Sequence, residues 1–355
     1  DDFYADFIRA QGYSRSTANM EPNPVPEDLF MDAFLATTAM DEMERAQKNG
    51  DQTFFCFCSL YSPHGPIDPP GRWATLYDGV PLPPINYREG EIANHPPALK
   101  ALLGYDEPGG RSVRTVDPGT IDRLRRLYYG LAAYCDHQVG RLVRYLDRAG
   151  IRENTLVIFT SDHGTQLMDH GFYNKHNWYD ESWRVPLIVS QPGTLPQGER
   201  RGFAIWNDLT ATILAAAGTG CDTMEAYDLY TPLSRGEPSP RQYAVACLFQ
   251  SVALATRCYK LEYYFQDGQG RLFDRLNDPH EQSDLWDRSA YREVRDRLLF
   301  GLLSWYGDTM DLHGLVGRSH RGGPIARRAV AHIKQVSGLD PEERLNRICQ
   351  IVDTL

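Results

Sequence analysis

At 355 residues, 42% hydrophobic and 24% charged, the chain has the composition of a soluble globular protein, large enough for one big domain or two smaller ones. A net charge of −10 argues against a nucleic-acid binder, and no apolar run is long enough to span a bilayer. The seven cysteines follow no regular spacing and include no Cys-x-x-Cys, which favours a reducing compartment over a disulfide framework.

Residues 1–26 are polar and turn-rich. Over 27–48, Phe30, Phe34, Leu35, Ala39, Met43 and Ala46 recur at helical spacing and predict a helix. Residues 53–61 (TFFCFCSLY) are short, apolar and aromatic, as expected of a strand buried on both faces. They run into a rigid loop, Ser62-Pro63-His64-Gly65-Pro66. The stretch 65–118 is rich in Pro and Gly and predicts a long irregular excursion. A helix is predicted over 118–149, with Leu124, Leu127, Leu131, Tyr134, Leu142 and Leu146 on its apolar stripe and Gly150 as its stop. A strand at 155–160 leads directly into Ser161-Asp162-His163-Gly164, and a second at 185–189 ends before Pro192-Gly193. A helix at 208–217 stops at Gly218. From residue 242 the character changes to short strands at 243–249, 252–256, 259–265 and 272–273, which predict a small antiparallel sheet. A helix at 292–306 packs on it, and 307–355 is a tail with one weak helix near 341–352. The expected fold is α/β: a mixed, mostly parallel sheet sandwiched by helices over 1–235, an antiparallel α+β subdomain over 236–306, and the tail.

The chemistry concentrates between residues 155 and 189. A buried strand ends on Asp162 and His163, and open α/β sheets bind ligands at the carboxyl ends of their strands. Asp169, His170, Lys175 and His176 follow before the chain returns to an apolar strand. Such a loop is poorly suited to a core and well suited to a metal and an anion. A sulfate or phosphate monoester carries dense negative charge, which a divalent cation and a lysine neutralise while a histidine protonates the leaving oxygen. Asp162 is a hard ligand for the cation, His163 adds a nitrogen, Lys175 clamps the anion, and His64, at another strand exit, meets the ester.

TLVIFTSDHG (155–164) followed by MDHGFYNKHNWYDESWRVPLIV (168–189) resembles the sulfatase pattern, in which a strand leads to S-D-[NH]-G, G-D-H-G, a lysine and Y-E-E-S-x-R-V-P-L-I. FCFCSLYSPHGPIDPP (55–70) is similar to the family's strand ending in P-H-x-P, and the helix of 128–155, DLTATILAAAG (208–218) and LFDRLNDPHEQSDLW (272–286) match further family segments in order. The resemblance implies an alkaline-phosphatase-like fold, with Asp162 and His163 as metal ligands and His64 and Lys175 as catalytic, sulfate-binding residues. His170 is counted with the substrate-binding set, although a supporting or loop-packing role suits it and His176 as well. The implied metal is calcium; His163, where many members have Asn, keeps manganese and zinc open. The implied substrate is a small-molecule or carbohydrate sulfate ester.

The family's formylglycine nucleophile arises from a C-x-[PA]-x-R or S-x-[PA]-x-R segment that follows two metal-binding aspartates, and none of the seven cysteines here has that context. The expectation is therefore the middle and C-terminal part of a sulfatase, inactive alone, with the nucleophile in a preceding segment. A phosphodiesterase or phosphonate monoester hydrolase of the same superfamily, and a non-catalytic binding protein on this fold, are the alternatives. Asp136 and Asp208 read as surface or helix-boundary residues, Lys260 as packing, and the arginines of 321–328 as a solvated tail. Which ester is cleaved, and in what oligomeric state, the sequence leaves open.

Overall fold

The structure is a computed structural model that describes residues 2–15, 19–50, 53–103, 112–220, 226–309 and 341–354. Its longest element shows how the chain encodes its helices. Helix α4 (Pro118–Arg148) opens with proline in the first turn, and the Asp117 carboxylate accepts from Thr120 N at 3.0 Å. Its buried stripe of Ile121, Leu124, Leu127, Leu131 and Tyr134 packs with Phe30 and Ala33, from the start of α2 (Met31–Lys48), and with Trp73. Gly130 lets α4 approach the Trp73 carbonyl, where any Cβ would collide. A short helix α1 (Phe3–Ala10) adds Tyr4 and Ile8 to a satellite cluster with Val25.

Next in the chain comes an antiparallel pair, β1 (Val157–Thr160) and β2 (Leu187–Ser190), in register from Val157↔Ser190 to Thr160↔Leu187. Helix α3 (Pro97–Leu103) belongs to the long excursion, α5 (Asp180–Trp183) lies inside the loop joining β1 to β2, and α6 (Trp206–Ala216) and α7 (Tyr230–Ser234) follow β2. The C-terminal part is a meander of β3 (Ala244–Leu248), β4 (Ser251–Ala255), β5 (Tyr259–Tyr264) and β6 (Gln269–Asp274). Its core joins Val252, Leu254, Leu261 and Leu272 to Leu298 and Leu302 of α8 (Arg292–Thr309) and to Leu345 and Cys349 of α9 (Pro341–Val352). Asp353 fastens α9 to the sheet by accepting from Thr256 Oγ1 at 2.7 Å and Cys258 N at 3.1 Å.

The α/β class and the antiparallel sheet in the C-terminal part are as the sequence predicts. Among the described residues every ladder is antiparallel, and the single parallel contact is an isolated bridge, Asn23↔Pro70. The strand predicted over 53–61 is a correction. That segment forms no ladder, and Phe55 and Phe57 are each 71% exposed. Apolar content suits a segment to a buried strand, but a ladder also needs a neighbouring edge, and none lies beside it among the described residues. The predicted weak helix at 341–352 is α9, a core element; the arginines of 321–328 lie outside the described residues.

Candidate active site

β1 delivers the chain to Ser161, where the ladder ends and the backbone turns. The turn is held by its own polar groups: Ser161 Oγ donates to His163 O at 2.9 Å, and His163 N donates to Asp162 Oδ1 at 2.8 Å. Gly164 is required by packing. Its N–H donates to Ser182 O at 2.8 Å, and a Cβ there would run into the Glu181 carbonyl of α5. The last residue of the Ser-Asp-His-Gly tetrapeptide therefore locks the turn against the short helix that closes the same loop.

Beyond it the chain doubles back. Gln166 N donates to Asn174 O at 3.0 Å, and Thr165 Oγ1 to Tyr173 O at 3.1 Å. Leu167, Met168, His170 and His176 all have positive φ, a costly backbone for non-glycine residues, and Met168 and Phe172 at 1% and 2% exposure anchor the fold-back. This return brings Lys175 to the turn. Lys175 Nζ donates to His163 Nε2 at 2.7 Å, and Asp162 Oδ2 lies 3.2 Å from the same nitrogen. His163 Nδ1 donates to Gly164 O at 2.9 Å, which places the imidazole lone pair on Nε2, between a carboxylate and an ammonium.

Asp162, His163 and Lys175 are thus brought together, two side chains from the strand exit and one from twelve residues on. An imidazole nitrogen whose tautomer is set by a backbone carbonyl, beside a largely exposed carboxylate, is a donor set that fits a divalent cation. His64 is exposed in its loop, and its described contacts are all local. Its N donates to Tyr61 O at 3.1 Å, its Nδ1 to Gly65 O at 2.8 Å, and its ring lies 5.2 Å from that of Tyr61.

His170 is corrected. It has no exposure, stacks on Tyr179 at 3.5 Å, hydrogen-bonds Glu91 through Nδ1, and accepts from Asn86 Nδ2 at 3.1 Å through Nε2. A ring with both nitrogens engaged and no solvent access supports the loop and does not reach a substrate. Ligand atoms of His170, Glu181 and Glu281 lie within 4.8 Å of one another, a cation-like arrangement. The same groups are already served by the Asn86 amide, which also donates to Glu181 Oε1 at 3.2 Å, and by the ammonium of Lys260 against Glu281.

Asp32 escaped the sequence reading, as did the partners of Lys260 and Asp208. Asp32 of α2, fully buried, accepts from Tyr61 N at 2.5 Å and Ser62 N at 3.2 Å and so sets the start of the His64 loop; burial raises its carboxyl above the ordinary range. The legible signal was an acid inside an apolar helical stripe. Lys260, assigned to packing, is a fully buried cation that donates to Trp178 O at 2.6 Å and Asp180 Oδ1 at 3.0 Å. Asp208 lies at the start of a helix as predicted, but it is buried and pairs in bidentate fashion with Arg241 at 2.7 Å on each oxygen. No local signal in the sequence announces either long-range pair.

The chain matches the Sulfatase family over residues 2–219, and the C-terminal part of N-sulphoglucosamine sulphohydrolase over residues 168–305. It is 31% identical over 323 residues to a multifunctional alkaline phosphatase superfamily protein, PehA, of Trinickia caryophylli, covering 81% of this chain and 62% of that protein. It is 27% identical over 287 residues to an arylsulfatase of Clostridium perfringens, covering 77% of this chain and 57% of that one. The chain thus spans about six tenths of the length of these relatives. The solved phosphonate monoester hydrolase SpPMH of Silicibacter pomeroyi shares the fold with a TM-score of 0.75 and 24% identity, over 88% of this chain and 70% of that structure. With the strand-exit Asp-His pair and its lysine inside the matched span, the chain belongs to the Sulfatase family.

Proposed function

We propose that this chain supplies the cation- and anion-holding half of a sulfate-ester hydrolase site. The observation that carries the reading is the meeting of Lys175 Nζ with His163 Nε2 at 2.7 Å, beside the Asp162 carboxylate. In this reading Asp162 and His163 hold a divalent cation, which supplies charge stabilisation to the ester oxygens. Lys175 lies within reach of the same position and neutralises a non-bridging oxygen. His64, whose Nδ1 is held by the Gly65 carbonyl, offers Nε2 for protonating the leaving oxygen. The nucleophile, a formylglycine by the family resemblance, comes from sequence beyond this chain. The chain by itself is therefore inactive, and the identity of the ester is left to the residues around the site.

The test is an assay of the full-length protein on an aryl sulfate. Lys175→Ala and Asp162→Asn are expected to lower kcat/KM at least about a hundredfold, the loss of one preorganised electrostatic contact in a catalytic site. Full activity in either variant, or no hydrolysis by the metal-loaded wild type, refutes the reading. A phosphonate monoester hydrolase is a second reading, and the imidazole at 163 favours it, because nitrogen suits manganese or zinc better than calcium. His163→Asn, which exchanges that nitrogen for an amide, is expected to shift the bound metal towards calcium. Metal analysis of both purified proteins and paired sulfate and phosphonate assays decide between the two.

A further inference from the structure

The hairpin joining β3 to β4 turns on two residues, Phe249 and Gln250, between the paired Leu248 and Ser251. Phe249 has φ 52°. The first central position of such a two-residue turn with positive φ is normally glycine, so a phenylalanine there carries backbone strain. Nor is its ring buried in return, since Phe249 is 69% exposed.

Its one described ring partner is His176, edge-to-face at 5.5 Å and 72°. His176 also has positive φ, 79°, and directly follows Lys175. Burial, and then the neighbouring charge of Lys175, hold its imidazole below the ordinary range. A cavity of about 220 Å³ runs along Lys175 and His176 to Phe172, Leu102 and Leu103. The hairpin is pinned beside this loop: Trp178 Nε1 donates to Ser251 Oγ at 3.1 Å, and Ser251 Oγ donates to Leu248 O at 2.8 Å. The C-terminal sheet thus holds an exposed ring against the imidazole that directly follows Lys175.

We propose that Phe249 and His176 form an aromatic platform that receives the ring of an aryl ester whose anionic group lies at Lys175. The inference rests on the anion-binding reading of Lys175 and adds to it the class of the organic group. Ring pairs contribute beyond their buried area, and the site's charged half leaves this rim as its apolar counterpart.

Phenylphosphonate and methylphosphonate test it by binding alone, since they share the tetrahedral anion, differ in the ring and contain no hydrolysable ester. Calorimetry on the full-length, metal-loaded protein is expected to show phenylphosphonate binding at least about tenfold more tightly. Phe249→Asn, whose side chain tolerates the left-handed turn, should abolish that ratio while leaving methylphosphonate affinity within about twofold; Phe249→Tyr should restore it. A wild-type ratio near one, or the same ratio in Phe249→Asn, overturns the platform. Equal weakening of both anions in Phe249→Asn overturns it too, by showing a merely structural role. Lys175→Ala serves the other arm: it should weaken both anions alike, and unchanged binding there refutes the anion reading, and the proposal with it.

Discussion

Gly164 illustrates how much one residue decides. The strand exit and the closing helix meet at its α-carbon, with a backbone hydrogen bond to Ser182 and no room for a methyl group beside the Glu181 carbonyl. Backbone cannot yield as a flexible side chain can, so Gly164→Ala is expected to destabilise the protein by about 3 kcal/mol, measured by urea unfolding. The same substitution at Gly150, where an added Cβ meets nothing within 4 Å but φ is 69°, carries only the smaller cost of a left-handed alanine, about 1 kcal/mol. Equal losses at the two positions would remove the packing argument. His163 and Lys175 were legible as candidate site residues because a polar, charged loop between two apolar strands is poorly suited to a core. Phe249 was not, since one more aromatic in a strand-rich segment looks like core until its exposure is known.

At the scale of elements, the loop from β1 to β2 is held by the C-terminal sheet through Lys260. This buried ammonium on β5 reaches Trp178 O and Asp180, and it contacts Glu281 beyond β6. Glu281 also accepts from Asp180 N at 3.0 Å. Lys260→Met leaves those carboxylates without their cation, and a loss of about 3–5 kcal/mol is expected in thermal or denaturant unfolding. Burial first, opposed by Lys260 and aided by Asp180, pushes the Glu281 carboxyl up from 4.5 to about 7. The folded state thus keeps a proton that the unfolded chain has released. The resulting stability is full below pH 4.5 and is lost as pH rises through 7. Unfolding of Glu281→Gln across pH 4–8 should show the difference from wild type moving in the variant's favour over that window; a flat difference contradicts the linkage. Helices α4, α6, α8 and α9 and the four-stranded meander were readable from periodicity and turn residues. The Lys260 clamp was not, because pairs eighty residues apart leave no local pattern.

Across the whole molecule, two packed regions contrast with one open one. The helical cluster around α4 and the core of the C-terminal sheet are closed, whereas Phe55 and Phe57 at 71% and Ile188 at 57% leave apolar surface open on extended segments. Alternate residues of an extended segment share a face, so Phe55 and Phe57 present one apolar strip. Such strips on unpaired backbone associate, and the chain by itself is expected to self-associate at micromolar concentration. Light scattering should show this reversed by Phe55→Ser with Phe57→Ser, and a monomeric wild type would contradict it.

By itself the sequence determined most of the long helices, the antiparallel strands that follow residue 242, and the charged loop that carries Asp162, His163 and Lys175, because periodicity, turn residues and misplaced charge are local properties. Only the tertiary structure decided that Lys175 folds back onto His163, that His170 is a buried support, that 53–61 lies without a ladder, and that a strained hairpin brings Phe249 to His176. Each of these depends on which distant surfaces meet, and the free energy of those meetings belongs to pairs of segments that no single stretch of sequence contains.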